Sequence, residues 1–278
     1  MKPLVFQTDF GLADGAVSAM YGVALKIDQN LKIYDLTHEI EPYNIWEAGY
    51  RLLQTVDYWS DGTVFVSVVD PGVGMSRRSV CAKLISGQLV VTPDNGTLTF
   101  LKKRNMIAGV RVIDEARNRL AGSEKSYTFY GRDVYAYTGA RLASEEIAFE
   151  DLGEPADIDS VVELPTSDPV YKEGIISGSI DVLDIRFGSL WTNISKEMFS
   201  RLNVEYGDDI EVAVSNDTRV VYRNTIQYQK SFAGVYVGEA LVYVNSLNCM
   251  AVAINQGSFA KAYNVGAGNN WHIVFKRK

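Results

Sequence analysis

Strand-like apolar runs alternate with helix-period patterns from residue 3 to residue 142, and beyond about residue 174 the helical patterns nearly stop. Residues 3–7, 32–36 and 63–69 read as strands, and residues 78–85 and 88–92 as a hairpin around Ser86-Gly87. Between them, residues 13–27 place Val17, Met20, Tyr21, Ala24 and Leu25 on one helical face, and residues 46–56 and 133–142 repeat that period. Such alternation predicts an α/β domain with a central, mainly parallel sheet covered by helices. The later rhythm is different. Residues 174–185, 209–215, 220–228, 240–244, 250–254 and 271–275 are β-rich, with short helical candidates such as 196–202 behind a Ser195 cap. A smaller β-rich C-terminal domain, barrel or sandwich, is expected. Turn residues and the prolines Pro155, Pro165 and Pro169 mark the connection, giving domains at 1–160 and 173–278 with a linker at 161–172.

A chain of 278 residues can bury one large core or two smaller ones. Its formal net charge of -7 argues against non-specific nucleic-acid binding, which requires a basic face. No apolar stretch is long enough to span a bilayer, and no signal-like segment opens the chain. Cys81 and Cys249 are isolated thiols that read as small buried apolar residues in a reducing compartment. These features point to the cytoplasm and to a small-molecule partner.

Chemistry concentrates where the third strand ends, in Val68-Val69-Asp70-Pro71-Gly72-Val73-Gly74 followed by Arg77 and Arg78. The strand delivers a carboxylate into a tight turn with two guanidinium groups close behind, the placement at which open α/β sheets build ligand sites. By itself Asp-Pro-Gly is a common turn. Four further segments accompany it along the chain: Phe6-Gln7-Thr8-Asp9-Phe10-Gly11-Leu12-Ala13-Asp14, Pro93-Asp94-Asn95-Gly96, Thr128-Phe129-Tyr130-Gly131-Arg132-Asp133, and Arg186-Phe187-Gly188-Ser189-Leu190-Trp191-Thr192-Asn193-Ile194. Asp9, just past the first strand, can accept both hydrogens of a ribose diol. Asp14 can equally cap the helix that follows. An acidic divalent-metal site is another reading of Asp9 and Asp14, but two carboxylates fall well short of the 6–8 oxygens calcium usually takes. No metal site is expected.

In this order and over nearly the whole chain, the five segments resemble the S-adenosylmethionine hydroxide adenosyltransferase family, whose relatives include fluorinating and chlorinating enzymes. The resemblance implies the same two-domain plan, a homotrimer with ligand sites between subunits, S-adenosylmethionine as substrate and no cofactor. It also implies roles. Asp70 and Arg77 match the Asp and Arg that position the nucleophilic water in the hydrolytic members. Tyr130 stands where those members carry His; the histidines of this chain, His38 and His272, lie in no matching segment. A neutral phenol, with its pKa near 10, is a poor base but a good hydrogen-bonding post. His38 is expected to be structural. Tyr130 followed by Gly131 matches the halogenating members instead, yet those carry an aromatic residue at the position of Asp70, and a carboxylate would repel a halide.

The resemblance assigns the remaining substrate contacts as follows. Asp9 matches the residue that binds the ribose hydroxyls, Asp14 also lines the site, and Tyr43 packs near the ribose; Val73, Phe129 and Gly131 are further substrate-binding positions. Asp184 matches the residue holding the methionine ammonium, and Ser246 one contacting its carboxylate. Phe187 and Trp191 offer flat faces for a purine. Ser189 replaces the family's usual Asn at the adenine edge, where a water can bridge the gap. Asn255 and Gln256 match the segment that reads the adenine amino group. Arg132-Asp133 reads as a helix start with an ion pair. Hydrolysis of S-adenosylmethionine to adenosine and methionine is therefore expected, against two alternatives: halide transfer, and ligand binding without catalysis.

Overall fold

A computed structural model describes residues 1–278. Two compact units divide the chain, Met1–Leu164 and Pro165–Lys278. Within the expected connection, Val162 N–H donates to Asp94 and Leu164 N–H to Thr99 at the end of the first unit, while Val170–Lys172 already forms a strand of the second.

The first unit is built on β1 (Leu4–Thr8), α1 (Ala16–Ile27), β2 (Ile33–Thr37), α2 (Ile45–Thr55), β3 (Val64–Val68), β4 (Ser79–Leu84), β5 (Leu89–Pro93), α3 (Thr99–Lys103), β6 (Ile107–Val112), α4 (Tyr137–Ala143) and β7 (Pro155–Ala156). The strand order is β2-β1-β3-β5-β4-β6-β7. β2, β1, β3 and β5 run parallel; β4, β6 and β7 extend the sheet antiparallel, with β4 and β5 forming the expected hairpin. β1 and β3 are buried on both faces, which is why they read as unbroken apolar runs rather than alternating ones. α1 and α4 cover one face, and Gly139 lets α4 settle on Val66, where a Cβ would collide. On α2, Ala48 and Gln7 share a hydrogen bond of 2.9 Å. The core centred on Phe6, Met20, Val66, Val134 and Tyr135 holds this layer together, and truncating Phe6 to Ala would cost about 3–5 kcal/mol.

One topological fact positions the chemistry. From β1 the chain crosses to β2 on one side, then returns to β3 on the other, so the strand order reverses between β1 and β3. Thr8 pairs in register with Val68 across that reversal. Asp9 and Asp70 therefore leave the sheet side by side at its carboxyl edge, where open α/β sheets bind ligands.

The second unit contains β8 (Val170–Lys172), β9 (Ile175–Leu183), β10 (Leu190–Ser195), α5 (Lys196–Ser200), β11 (Asp209–Asn216), β12 (Val220–Tyr228), β13 (Ala240–Val244), β14 (Cys249–Ile254), α6 (Phe259–Tyr263) and β15 (Gly268–Arg277). β9 pairs with β15 along its first part and with β10 near its end, closing the ring β9-β10-β14-β13-β12-β11-β15 into a seven-stranded barrel with β8 appended outside. β11 alternates buried and exposed residues as a barrel wall requires, and Val212, Val214, Val242, Val252, Ile273 and Phe275 fill the interior. Ser195 caps α5, accepting from Met198 N–H.

Candidate active site

Asp70 and Arg77 form a nearly buried ion pair, their side chains 5% and 10% exposed. Both Nε and Nη2 of Arg77 donate to the same oxygen, Oδ2, at 2.9 and 2.5 Å. The other oxygen, Oδ1, is buried and has no partner. Desolvation of a lone carboxylate oxygen is costly, and such orphans in a cleft mark a place where a ligand or water belongs. Burial opposes the Arg77 charge, but the hydrogen bond to Asp70 and the charges of Tyr135, Asp70 and Glu115 outweigh it and hold the guanidinium above its ordinary pKa. The guanidinium is thus held in its charged form. Next to it lies a cavity of about 440 Å³, lined among others by Asp70, Pro71, Gly72, Arg77 and Asn95.

The turn that carries Asp70 is clamped from the neighbouring strand. Asn95, in the Pro93-Asp94-Asn95-Gly96 turn after β5, donates from Nδ2 to the Val69 carbonyl at 2.8 Å. Gly74 adopts φ +77°, and a Cβ there would lie 3.0 Å from the Tyr127 carbonyl oxygen. Val73 is half-buried against the core. Arg78 turns away: it pairs with buried Asp94 and donates to the Ser160 carbonyl, which makes it a tie within the unit.

Tyr130 joins the pair from below. Its ring is 7% exposed, the Arg77 guanidinium carbon sits 4.8 Å from its centroid, and that of Arg119 sits 4.6 Å away. Burial pushes the phenol above its ordinary pKa and the Glu115 charge adds to this; Arg119 and Arg77 oppose it without reversing it. Tyr130 is neutral at physiological pH and can donate a hydrogen bond. It also opens a stretch of π-helix, Gly131–Ala136, ahead of α4, a local irregularity common at functional sites. Gly131 is tight against Phe10: a Cβ would lie 3.0 Å from its ring, and Phe10 packs edge-on against Phe129 at 5.8 Å. Arg132 pairs with fully buried Asp133 through Nε at 2.6 Å.

The Asp9 turn lies beside this cluster through Phe10. Asp9 Oδ2 accepts the Tyr43 N–H at 2.8 Å, tying the β1 turn to the segment ahead of α2. Tyr43 holds φ +70°, an unfavourable backbone for a bulky residue, and its side chain is 73% exposed. Strain of this kind persists where the surroundings impose it, characteristically at ligand sites. Asn44 then caps α2, accepting from Glu47 N–H at 2.9 Å. Asp14 is exposed and its Oδ1 accepts from Ala16 N–H at 2.8 Å, at the start of α1.

In the barrel unit, the segments expected to read the substrate meet at Tyr243. Burial raises the Tyr243 phenol; the nearby polar groups of Ser189 and Trp191 work against that, and the Asp184 charge works with it. Asp184, Ser189 and Trp191 thus share one neighbourhood. Asp184 Oδ1 accepts from the backbone N–H groups of Arg186 and Phe187, which presents Phe187 outward with 70% of its surface exposed. Ser246 is exposed beside Asn245, whose buried Nδ2 has no partner. Asn255 donates from Nδ2 to the Val235 carbonyl at 2.9 Å, and Gln256 follows at φ +56°.

Sequence reasoning did not single out Glu115, Arg119, Ser79, Tyr135 or Tyr243. Ser79 donates to Glu115 at 2.6 Å and bonds the Tyr135 hydroxyl at 3.0 Å; Glu115 Oε1 lies 3.8 Å from Arg77 Nη1. Arg77 is consequently held from both ends. The one available signal was the length of the stretch at 113–129, which has no helix or strand of its own, since loops of that length are commonly functional.

A parallel-sheet switch point bearing two carboxylates, one clamped by an arginine, in a chain that also folds a closed β-barrel, defines a small-molecule enzyme of the α/β class with a separate barrel unit. Residues 4–153 match the SAM hydroxide adenosyltransferase N-terminal domain and residues 178–272 the corresponding C-terminal domain, where SAM is S-adenosylmethionine. The chain belongs to the SAM hydroxide adenosyltransferase family. It is 33% identical over 271 residues to an (R)-S-adenosyl-L-methionine hydrolase of Salinispora tropica, covering 97% of this chain and 96% of that protein. It is 25% identical over 298 residues to a fluorinase of Actinopolyspora mzabensis, covering 98% and 97%. Among solved structures, an uncharacterized conserved protein from Thermotoga maritima superposes with a TM-score of 0.88 at 31% identity, covering 99% of this chain and all of that one.

Proposed function

We propose that this protein hydrolyses S-adenosyl-L-methionine to adenosine and L-methionine. The observation that carries this is the asymmetry of Asp70: Oδ2 is locked by Arg77 and Oδ1 is buried without a partner. A fixed, ionised acceptor of this kind suits a water molecule and repels a halide. In the reaction, Asp70 Oδ1 accepts a hydrogen bond from the water and takes its proton as the oxygen attacks the ribose C5′. The new O–C5′ bond forms in line with the breaking C5′–S bond, and the sulfonium keeps that electron pair as it leaves as the neutral thioether of methionine. Sulfonium is already a good leaving group, so the chemistry calls for no metal or organic cofactor. What the site supplies is alignment and exclusion of surplus water. Tyr130 completes the cage as a neutral donor, and Asp9 anchors the ribose diol. Tyr43, Val73, Phe129 and Gly131 border the sugar and nucleophile; Asp184, Phe187, Ser189, Ser246, Asn255 and Gln256 serve the methionine and adenine ends, with Asp14 at the margin.

A homotrimer with sites between subunits is part of the same reading, supported by the family resemblance and by the exposure of Tyr43 and Phe187 in the single chain. No helix is long and apolar enough to cross a membrane. Two buried cysteines outside any disulfide fit a reducing cytoplasm.

The test is incubation with S-adenosylmethionine, with and without concentrated chloride or fluoride, and chromatographic identification of the nucleosides. Adenosine is expected in every case. A 5′-halogenated nucleoside as main product would overturn the hydrolase reading in favour of halide transfer, and binding without product would favour a sensor.

A further inference from the structure

His38 lies immediately after β2, which neighbours β1, and its side chain is 1% exposed. Nδ1 lies 2.8 Å from Thr8 Oγ1 and Nε2 lies 2.9 Å from Asp35 Oδ1. Thr8 Oγ1 also accepts the Phe10 N–H at 3.2 Å, and the His38 carbonyl accepts the Gly11 N–H at 2.8 Å. The proton inventory has one economical solution. Thr8 accepts from Phe10 and donates its hydroxyl proton to Nδ1, and Nε2–H donates to Asp35. Asp35 Oδ1 is fixed in turn by the Tyr21 hydroxyl at 2.6 Å. Tyr21 itself is anchored by stacking on Phe6 at 5.8 Å.

The order Thr8, His38, Asp35 invites comparison with a nucleophile, base and orienting acid. Burial decides against it. Thr8 is 0% exposed, and its oxygen already accepts the Phe10 amide, so it cannot reach a substrate. What the network does touch is the turn at residues 9–11, gripped on both flanks: at Thr8 and Phe10 by the imidazole through the threonine hydroxyl, and at Gly11 by the His38 carbonyl. Asp9 stands between those grips, and nothing else on its own turn is hydrogen-bonded to its side chain except Tyr43 N–H from across the site.

We propose that His38 is a positioning residue that sets the Asp9 carboxylate for the ribose diol, acting through Thr8. The proposal rests on the reading of Asp9 as the ribose anchor. It assigns the buried imidazole to substrate grip rather than to proton transfer.

The experiment measures kcat and KM for S-adenosylmethionine in the full-length protein carrying Thr8→Val, His38→Ala, His38→Asn or Asp9→Ala, and in the double variants that combine Asp9→Ala with the first two. Thr8→Val is isosteric and removes only the hydroxyl, so it reports on the network even where His38→Ala fails to fold. Thr8→Val and His38→Ala are expected to raise KM roughly 5- to 30-fold with kcat within about threefold. His38→Asn, which keeps an acceptor near the Nδ1 position, should recover part of the loss. In the Asp9→Ala background the same substitutions should change KM by less than about twofold, because the group they position is gone. Undiminished effects in that background, or loss of kcat at constant KM, would overturn the positioning role while leaving Asp9 as ribose anchor intact. An Asp9→Ala variant with unchanged KM would instead remove the ribose reading and this proposal together.

Discussion

Arg77 grips one oxygen of Asp70 and leaves the other free: Nε and Nη2 both converge on Oδ2, and Oδ1 is buried with no hydrogen-bond partner. A symmetric, bidentate pair would have used up the carboxylate. The one-sided grip fixes its direction while keeping an acceptor available for a water molecule. Glu115, 3.8 Å from Arg77 Nη1, steadies the far end of the guanidinium.

It follows that charge at residue 70 matters more than shape. Asp70→Asn preserves the volume but removes the anionic acceptor, and kcat for adenosine formation is expected to fall about 10²–10⁴-fold with KM little changed. Steady-state kinetics on the two proteins checks this; a loss confined to KM would mean that Asp70 binds substrate and does not activate water.

Tyr130 is expected to act as a donor and not as a base, because burial and Glu115 hold its phenol above the ordinary value. Tyr130→Phe should therefore retain activity within about tenfold, the cost of one hydrogen bond. The wild-type rate should show no ionisation of this phenol at or below its ordinary pKa, near 10. Tyr130→His should preserve or raise the rate and bring in a new pH dependence. An imidazole works as a base only when neutral, so activity rises as pH climbs through its pKa. Burial and the Arg77 and Arg119 cations disfavour imidazolium at that position while the Glu115 carboxylate favours it, so the rise is expected near neutrality, where imidazole titrates. A Tyr130→Phe variant as damaged as Asp70→Asn would show that the phenol carries the proton itself.

Much of this arrangement was legible in the sequence, for identifiable reasons. β1 and β3 were readable because burial on both faces makes them continuous apolar runs, and Asp9 and Asp70 because each follows directly on such a run. Among the barrel strands, β11 declares itself by alternation, and β12 and β13 by β-branched and aromatic runs bounded by turns. By contrast, β6 escaped notice: Gly109 and Arg111 dilute its apolar signal near the antiparallel edge. The helix expected at 133–142 begins as a π-helical stretch, in which the anticipated Arg132–Asp133 pair forms; the tight contact of Gly131 with Phe10 at its start has no local sequence signature. Arg119 and Glu115 were invisible for a related reason. They meet Tyr130 and Arg77 only through the long stretch at 113–129, whose path no periodicity encodes.

The ribose end makes a separate prediction. Asp9→Ala should chiefly weaken substrate binding, by about 1.5–3 kcal/mol for loss of hydrogen bonds to a charged group. Exhaustive chelation before assay should leave the wild-type rate unchanged, since the reaction as derived runs on a carboxylate and a sulfonium leaving group. Chelator-sensitive turnover, or release of free adenine, would place this site with metal-dependent nucleoside hydrolases instead.

In the proposed reaction water, held by Asp70, attacks C5′ of the ribose. Turnover of S-adenosylmethionine in ¹⁸O-labelled water, followed by mass spectrometry of both products, tests this step. One labelled oxygen is expected in the 5′-hydroxyl of adenosine and none in methionine. Unlabelled adenosine, or label appearing in the amino-acid product, would contradict it.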